Sequence, residues 1–378
     1  MTTSNKFAAL LKDCVPSAPR WRPGVWPVLI YGAGDTGRKA AIELKSRGAE
    51  IAGFLDAKAQ PGQSLDGLPI FTLPDWLARH DPVDYEVFIA ISNEIFRPQI
   101  PELRRQITEC GFARSTYHFW TLVQAHLPNR SPNLLQNARQ CYENFLPELG
   151  RLDEILADEK SQQCLMEYVR ANCQEESTRS YSSNDQYHPA DLPALPHRLR
   201  FIDGGAFTGD TLVDLFQNGY RFDAAAAFEP DPENFSRLVR NTTSCENIIR
   251  FPCALGDETR ELRFNATATP GSHILRGGGD THTVCVQCVS LDDVLPTFAP
   301  NFIKMDIEGA EPEALMGAKN MIVRHRPYLA ICLYHHVDHL WRIPLMIHEW
   351  NLNYRFYIRQ HDPIFDLVLY AYPDKDQK

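Results

Sequence analysis

Arg200-Phe201-Ile202-Asp203-Gly204-Gly205-Ala206-Phe207-Thr208-Gly209-Asp210-Thr211 reads as a short apolar strand, an acid, a glycine-rich turn and the start of a helix. Leu212, Val213, Leu215 and Phe216 continue at helical spacing. A second strand-like run, Ala224 to Phe228, ends in Glu229-Pro230-Asp231. Glu229 falls about 24 residues past the turn, where a βαβ nucleotide fold places the acid that holds ribose hydroxyls. Strand, turn, helix, strand and acid in this order predict a parallel α/β sheet.

Asp203 stands directly before the glycines. A carboxylate there repels a pyrophosphate and suits a cationic ligand without phosphate. S-adenosylmethionine fits: it carries a sulfonium and an α-ammonium, and its ribose offers two hydroxyls to Glu229. Downstream, Ile248–Phe251 reads as a strand leading to Ala254-Leu255-Gly256-Asp257, a loop suited to an adenine. Segments 261–264 and Thr283–Val289 read as an inserted hairpin or edge strands. Phe302-Ile303-Lys304-Met305-Asp306 is a strand with an acid at its C-terminal end, and Ile307-Glu308-Gly309-Ala310 turns into a helix opened by Glu311-Pro312-Glu313. Residues 328–333 form another strand, followed by Tyr334-His335-His336. A helix near 344–349 and strands at 354–359 and 366–372 close the sheet. Asp203, Glu229, Asp306 and His335 thus sit at strand C-termini, where open α/β sheets bind ligands.

Residues 187–373 resemble the FkbM family of S-adenosylmethionine-dependent methyltransferases. The resembling pieces are Phe201 to Thr211, Phe228-Glu229-Pro230-Asp231-Pro232-Glu233-Asn234, Ser290-Leu291-Asp292-Asp293-Val294-Leu295 and Ile303-Lys304-Met305-Asp306-Ile307-Glu308-Gly309-Ala310-Glu311. The resemblance implies a class I methyltransferase domain with a doubly wound seven-stranded sheet. It also implies methylation, usually of a hydroxyl, on a saccharide, sugar nucleotide or secondary metabolite. The expected cofactor-binding residues are Asp203, Gly204, Gly205, Phe207, Gly209, Asp210, Thr211, Glu229, Pro230, Asp231, Leu255 and Asp306. Two departures stand out: Gly204-Gly205 after Asp203, and Cys332 where many relatives place an acid.

Methyl transfer is an in-line displacement that depends mainly on positioning; a hydroxyl acceptor also benefits from a base, most often His. His335, His336, Asp306 and Glu308 are the candidate catalytic residues, and Lys304, alternating with Asp306 on one side of the strand, is a further candidate. Their bland readings are loop histidines bonded to backbone and an acid holding the next helix. Asp306, Glu308, His335, His336, Asp338 and His339 carry donor atoms suited to a divalent metal, but no short spacing demands one and no metal is assigned. Ser272 and His273, beside Gly277-Gly278-Gly279, read as a loop of the kind that bears substrate contacts.

A second glycine turn lies upstream. Val28-Leu29-Ile30-Tyr31 runs into Gly32-Ala33-Gly34-Asp35-Thr36-Gly37, with Ala40, Ala41 and Leu44 on one helical face. Gly48 then stops the helix, and Ile51-Ala52-Gly53-Phe54-Leu55 ends at Asp56. Gly32, Gly34, Gly37 and Asp56 are the expected nucleotide-binding residues; a ligand-free βαβ unit is the bland alternative. Further strands are expected at 86–91 and 70–71, and helices at 75–79 and 98–110. This stretch resembles the N-terminal nucleotide-binding domains that accompany sugar-modifying enzymes, which implies a nucleotide-sugar ligand. No Tyr-x-x-x-Lys follows it, which weighs against the rival reading, an NAD-dependent oxidoreductase or epimerase; a non-catalytic cofactor-binding module is a third.

Residues 133–173 show helical periodicity interrupted at Pro147. Residues 175–196, rich in Ser, Asn, Asp and Pro, read as a loop or lid bearing Tyr187-His188-Pro189. The expected organisation is 1–125 a Rossmann-like nucleotide-binding domain, 126–186 a helical connector and loop, and 187–378 the methyltransferase domain. Over 378 residues the net charge is -10, which disfavours nucleic acid and a polybasic membrane contact. No stretch of about 18 apolar residues or signal peptide is visible, and the ten scattered cysteines fit a reducing compartment. Cys285 and Cys288 form a C-x-x-C inside an alternating strand and read as packing residues. The expectation is a cytoplasmic enzyme acting on a small-molecule or saccharide acceptor, with homo-oligomerisation left open.

Overall fold

The computed structural model describes residues 3–14, 25–46, 48–90, 100–116, 134–173, 185–265, 273–274, 283–361 and 366–374. Ser272, the Gly277–Gly279 run and the side chain of His273 lie outside them.

Helix α1 (Thr3–Asp13) comes first. Then follow β1 (Val28–Tyr31), α2 (Asp35–Ser46), β2 (Ile51–Leu55), β3 (Ser64–Leu65), β4 (Leu68–Phe71), α3 (Leu73–Leu77), β5 (Glu86–Ile89), α4 (Ile100–Glu109) and β6 (Ser115–Thr116). The six strands make one sheet in the order β3-β4-β2-β1-β5-β6. Only the β3–β4 pair is antiparallel. The strands are apolar on both faces, as buried parallel strands are. Ile30, Phe54 and Phe88 pack on Ala40, Ala41 and Leu44 of α2. Leu29, Leu55 and Val87 pack on Trp76, Ile107 and Phe112 from the other side.

The connector contains α5 (Leu134–Asn144), α6 (Leu146–Ile155) and α7 (Glu159–Cys173). The break falls at Phe145, and Pro147 sits in the first turn of α6, where its missing N–H costs nothing; it opens this helix rather than ending the previous one. Helix α1 packs against α6 and α7, with Phe7, Leu10 and Leu11 in one core with Tyr142, Leu149, Leu152 and Val169. It therefore rests on the connector, although sequence order groups it with residues 1–125.

The C-terminal sheet is built from β7 (Arg198–Gly204), α8 (Asp210–Gln217), β8 (Arg221–Phe228), α9 (Pro232–Asn241) and β9 (Ile248–Phe251). A four-stranded side sheet follows: β10 (Cys253–Leu255), β11 (Arg260–Asn265), β12 (His273–Ile274) and β13 (Thr283–Val289). Pro252 interrupts the β9 strand, and 253–255, which takes in Ala254 and Leu255 of the expected 254–257 loop, pairs in parallel with β13. Along β13, Cys285 is exposed and Cys288 buried, as strand alternation requires. The chain continues with α10 (Leu291–Val294), β14 (Phe302–Met305), α11 (Glu311–Met316), α12 (Lys319–His325), β15 (Tyr328–Cys332), α13 (His339–Glu349), β16 (Tyr354–Gln360) and β17 (Leu367–Pro373). Helix α13 begins five residues before Pro344, which lies inside it.

The seven strands run β16-β17-β15-β14-β7-β8-β9, with β17 antiparallel to both neighbours. Strands β7 and β14 lie side by side at the switch point, with Asp203 paired to Lys304. A buried Arg359 on β16 donates to Asp158 (2.7 Å), Asp191 (2.8 Å) and Ser161 (2.8 Å). It ties the start of α7 and the segment after 185 to the sheet edge.

Candidate active site

The C-terminal ends of β7, β8 and β14, with the loop after β15, surround a cavity of about 340 Å³. Its lining includes Gly205, Phe207, Asp210, Thr211, Glu229, Pro230, Leu255, Asp306 and Glu308. All nine were expected from the sequence. Asp203, Gly204, Gly209, Asp231, His335 and His336 stand outside this lining.

The turn after β7 is held by close packing. Gly205 has φ +75°, and a Cβ there would lie 1.8 Å from the Asp306 carbonyl oxygen, so only glycine lets β7 and β14 approach this closely. Phe207 is also left-handed (φ 45°), and its N–H donates to Glu229 Oε2 at 2.9 Å. Glu229 Oε1 accepts from Asp231 N–H at 2.8 Å. Burial pushes the Glu229 carboxyl up to about 7, against the two N–H bonds that favour its ionised form. Asp231 caps α9, accepting from the N–H groups of Glu233 and Asn234. Asn234 lines the cavity, is 1 % exposed, and its Oδ1 has no hydrogen-bond partner.

Asp203 is fully buried beneath the cavity. Burial raises its carboxyl, while Lys304 Nζ, 3.0 Å away, works against that rise. Lys304 also donates to the Gly205 carbonyl at 2.7 Å. Burial opposes its charge, but Asp203, Asp306 and Asp210 outweigh burial and hold its pKa above the ordinary range. The acidity the ligand meets is therefore not that of Asp203. It comes from Asp210, Glu229, Asp306, Glu308 and Asp366, against Lys304 as the one lysine or arginine among the described lining residues.

Asp306 faces the cavity between two phenols. Tyr334 donates to its Oδ1 (2.9 Å) and Tyr187 to its Oδ2 (3.2 Å). Burial drives both phenols well above their usual pKa, so they stay donors. Behind Asp306 lies His335, 4 % exposed, with Nδ1 2.8 Å from Glu311 Oε1 and Nε2 3.4 Å from Asp306 Oδ1 and 3.7 Å from Glu308 Oε2. Burial opposes its charge, but Glu311, Glu308 and Asp306 raise it to about 9. Glu311, fully buried, is held well below the carboxylate range by His335 and His339 despite its burial. Its Oε1 also accepts the Ile307 N–H at 2.9 Å. His336 is exposed and lies over Gly309.

In the N-terminal sheet, Gly32 (φ 108°) donates its N–H to the Leu55 carbonyl, and Asp56 Oδ2 accepts the Ala33 N–H at 3.1 Å. The turn and the acid expected together are in contact. A Cβ at Gly37 would lie 1.9 Å from the Gly32 carbonyl oxygen, whereas Gly34 opens onto free space.

Comparison with known proteins bears on both halves. Residues 203–362 match the family described as Methyltransferase FkbM domain. This stretch, which spans most of the seven-stranded sheet, is therefore similar to an FkbM methyltransferase domain. Residues 27–102 match the PglD N-terminal domain. The hexuronic acid methyltransferase AglP of Haloferax volcanii is 28 % identical over 102 residues, which cover 25 % of this chain and 41 % of AglP. The crystal structure of methyltransferase FkbM from Methylobacillus flagellatus KT superposes over 98 % of this chain and 99 % of that one, with a TM-score of 0.72 at 22 % identity. That likeness supports the fold along almost the whole chain. Within the FkbM domain, sequence reasoning passed over Glu311, Tyr334 and Asn234. Glu311 read as a helix-opening acid, and its contacts with His335 and His339 exist only once β15 and α13 fold beside α11.

Proposed function

We propose that this protein is an S-adenosylmethionine-dependent O-methyltransferase acting on a hydroxyl of a saccharide or sugar nucleotide. The observation that carries the reading is the wall formed by Glu229, Asn234 and the Gly205–Phe207 turn. The orphaned buried amide oxygen of Asn234 faces a cavity rich in acids and needs a donor from a ligand, while the buried Glu229 carboxylate, which already accepts two backbone N–H groups, keeps lone pairs for further donors. The cofactor's ribose hydroxyls, adenine amino group and ammonium are such donors. Glu229 and Asn234 would hold its nucleoside, and Asp210 and the turn its amino-acid end. Bound there, S-adenosylmethionine would supply an electrophilic methyl carbon: the acceptor oxygen would form the C–O bond in line as the C–S bond breaks, with the neutral thioether as leaving group. Asp306 Oδ2, beside Tyr187, receives the proton released by the acceptor hydroxyl. Tyr187 and Tyr334 fix the carboxylate's orientation and help exclude water.

The saccharide class rests on the N-terminal turn and on AglP, whose own acceptor is a hexuronic acid. The N-terminal domain would hold the nucleotide of an activated acceptor, with Asp56 at the turn and the open space at Gly34 as the point of approach. Transfer of labelled methyl from S-adenosylmethionine to a panel of sugar nucleotides and hexuronic-acid saccharides tests the activity. Asp306→Asn is expected to lower kcat about 100-fold or more, with cofactor affinity kept. Absence of transfer to every oxygen acceptor, with NAD reduction by the same preparation, would sink the reading.

A further inference from the structure

Asp306, Glu311 and His335 each bring a metal-ligand atom within 4.8 Å of the others. The arrangement around the imidazole is directional. Nδ1 faces Glu311 Oε1 at 2.8 Å, and Glu311 is itself pinned by the Ile307 and Gly309 N–H groups. Glu311 stands where the carboxylate partner of a metal-bound histidine stands, at ion-pair distance; Nδ1, like Nε2, makes no aligned hydrogen bond. Nε2 points the other way. It is buried, makes no hydrogen bond, and stands 3.4 Å from Asp306 Oδ1 and 3.7 Å from Glu308 Oε2, beyond ordinary hydrogen-bond reach. Two donors each about 2.1 Å from one ion and roughly 110° apart are separated by about 3.4 Å.

Charge leads to the same place. Asp306, Glu308 and Glu311 converge on His335 and His339, while Lys304 is already matched by Asp203. Glu308 is held in a left-handed conformation (φ 56°) that a side chain adopts only under constraint, and it keeps its carboxylate on the cavity wall beside Nε2.

We propose that His335 Nε2 and Asp306 Oδ1 bind a divalent cation of the manganese, magnesium or zinc class at the cavity wall, with Glu308, whose Oε2 lies 3.7 Å from Nε2, moving in as the third ligand and Glu311 as the orienting partner of His335. Two carboxylates and one imidazole without thiolate suit these ions. The open coordination positions face the cavity, so an acceptor oxygen completes the shell and its proton becomes more acidic. Oδ2 of Asp306 stays directed at the acceptor. The ion's part in methyl transfer rests on the function proposed above; its binding does not.

The test uses the full-length chain after chelator treatment, titrated with manganese chloride alone and followed by the electron paramagnetic resonance of free Mn²⁺. One saturable site per chain is expected. His335→Gln should abolish it and Glu308→Gln weaken it at least tenfold, with thermal melting recorded for each variant. Glu308 is partly exposed, so its variant reports on binding even if His335→Gln folds poorly. No saturable site, or a site that Glu308→Gln leaves unchanged, would overturn the proposal. Either result leaves the S-adenosylmethionine titration to be judged separately, because manganese binding needs neither cofactor nor acceptor.

Discussion

Glu229 is buried at the end of β8, with both carboxylate oxygens accepting backbone N–H groups. Its place beyond the Gly204–Gly209 turn marks it as an expected ribose-binding acid. Its burial next to Asp231, with Lys304 opposing, also lifts its pKa to about 7. The ionised form is the one that accepts from hydroxyl donors, so S-adenosylmethionine affinity should fall as pH drops below about 7, approaching tenfold per pH unit. Calorimetry at pH 8, 7 and 6 checks this, and a flat profile would be inconsistent with it. For the ligand-free fold the sign is opposite. A carboxyl with a raised pKa stabilises the fold at low pH, and that contribution is lost as pH rises through about 7. Asp203 taught the converse lesson. Its position beside the glycines suggested a charge for the ligand, but Lys304, its register partner on β14, neutralises it. Sequence spacing cannot reveal a cross-strand pairing of residues a hundred positions apart.

Turns and helices were legible where local chemistry decides them and obscure where packing does. Both glycine turns, their following helices and the acids after β2 and β8 fell where the periodicity put them. The exceptions have physical causes. Pro147 reads as a helix breaker and Pro344 as a helix start, yet one occupies a first turn and the other is tolerated inside α13. Segment 253–255 becomes a strand because β13 offers it a partner. The two glycine turns also give a contrast that can be measured. Gly37→Ala must displace the Gly32 carbonyl and should lower the melting temperature by several degrees. Gly34→Trp meets open space, so it should melt like the parent yet lose affinity for sugar nucleotides. Differential scanning fluorimetry with and without a uridine-diphosphate sugar reads both. An unaltered nucleotide response in Gly34→Trp would remove the proposed ligand from that turn.

Across the molecule, two mostly parallel sheets with glycine turns lie before and after, in chain order, a connector on which α1 rests. Among the described residues, no helix is long and apolar enough to cross a membrane. The seven-stranded order and its antiparallel β17 follow from the FkbM resemblance more than from any local signal, since strand order depends on contacts across the whole half-chain. The same contacts assemble Asp306, Glu308, Glu311 and His335, which spacing alone left as separate acids and histidines. Arg359 likewise shows its purpose only in three dimensions. Arg359→Leu removes the cation between Asp158 and Asp191 and should destabilise the fold by about 3 kcal/mol, read from urea unfolding; a loss below about 1 kcal/mol would mean that the pair is solvated and idle. The central claim is that the cavity beneath Glu229 binds S-adenosylmethionine. Isothermal titration of the purified protein with that cofactor, beside Glu229→Ala, tests it most directly. The account predicts one saturable site that the variant loses; no binding by the parent protein, or equal binding by both, would contradict it.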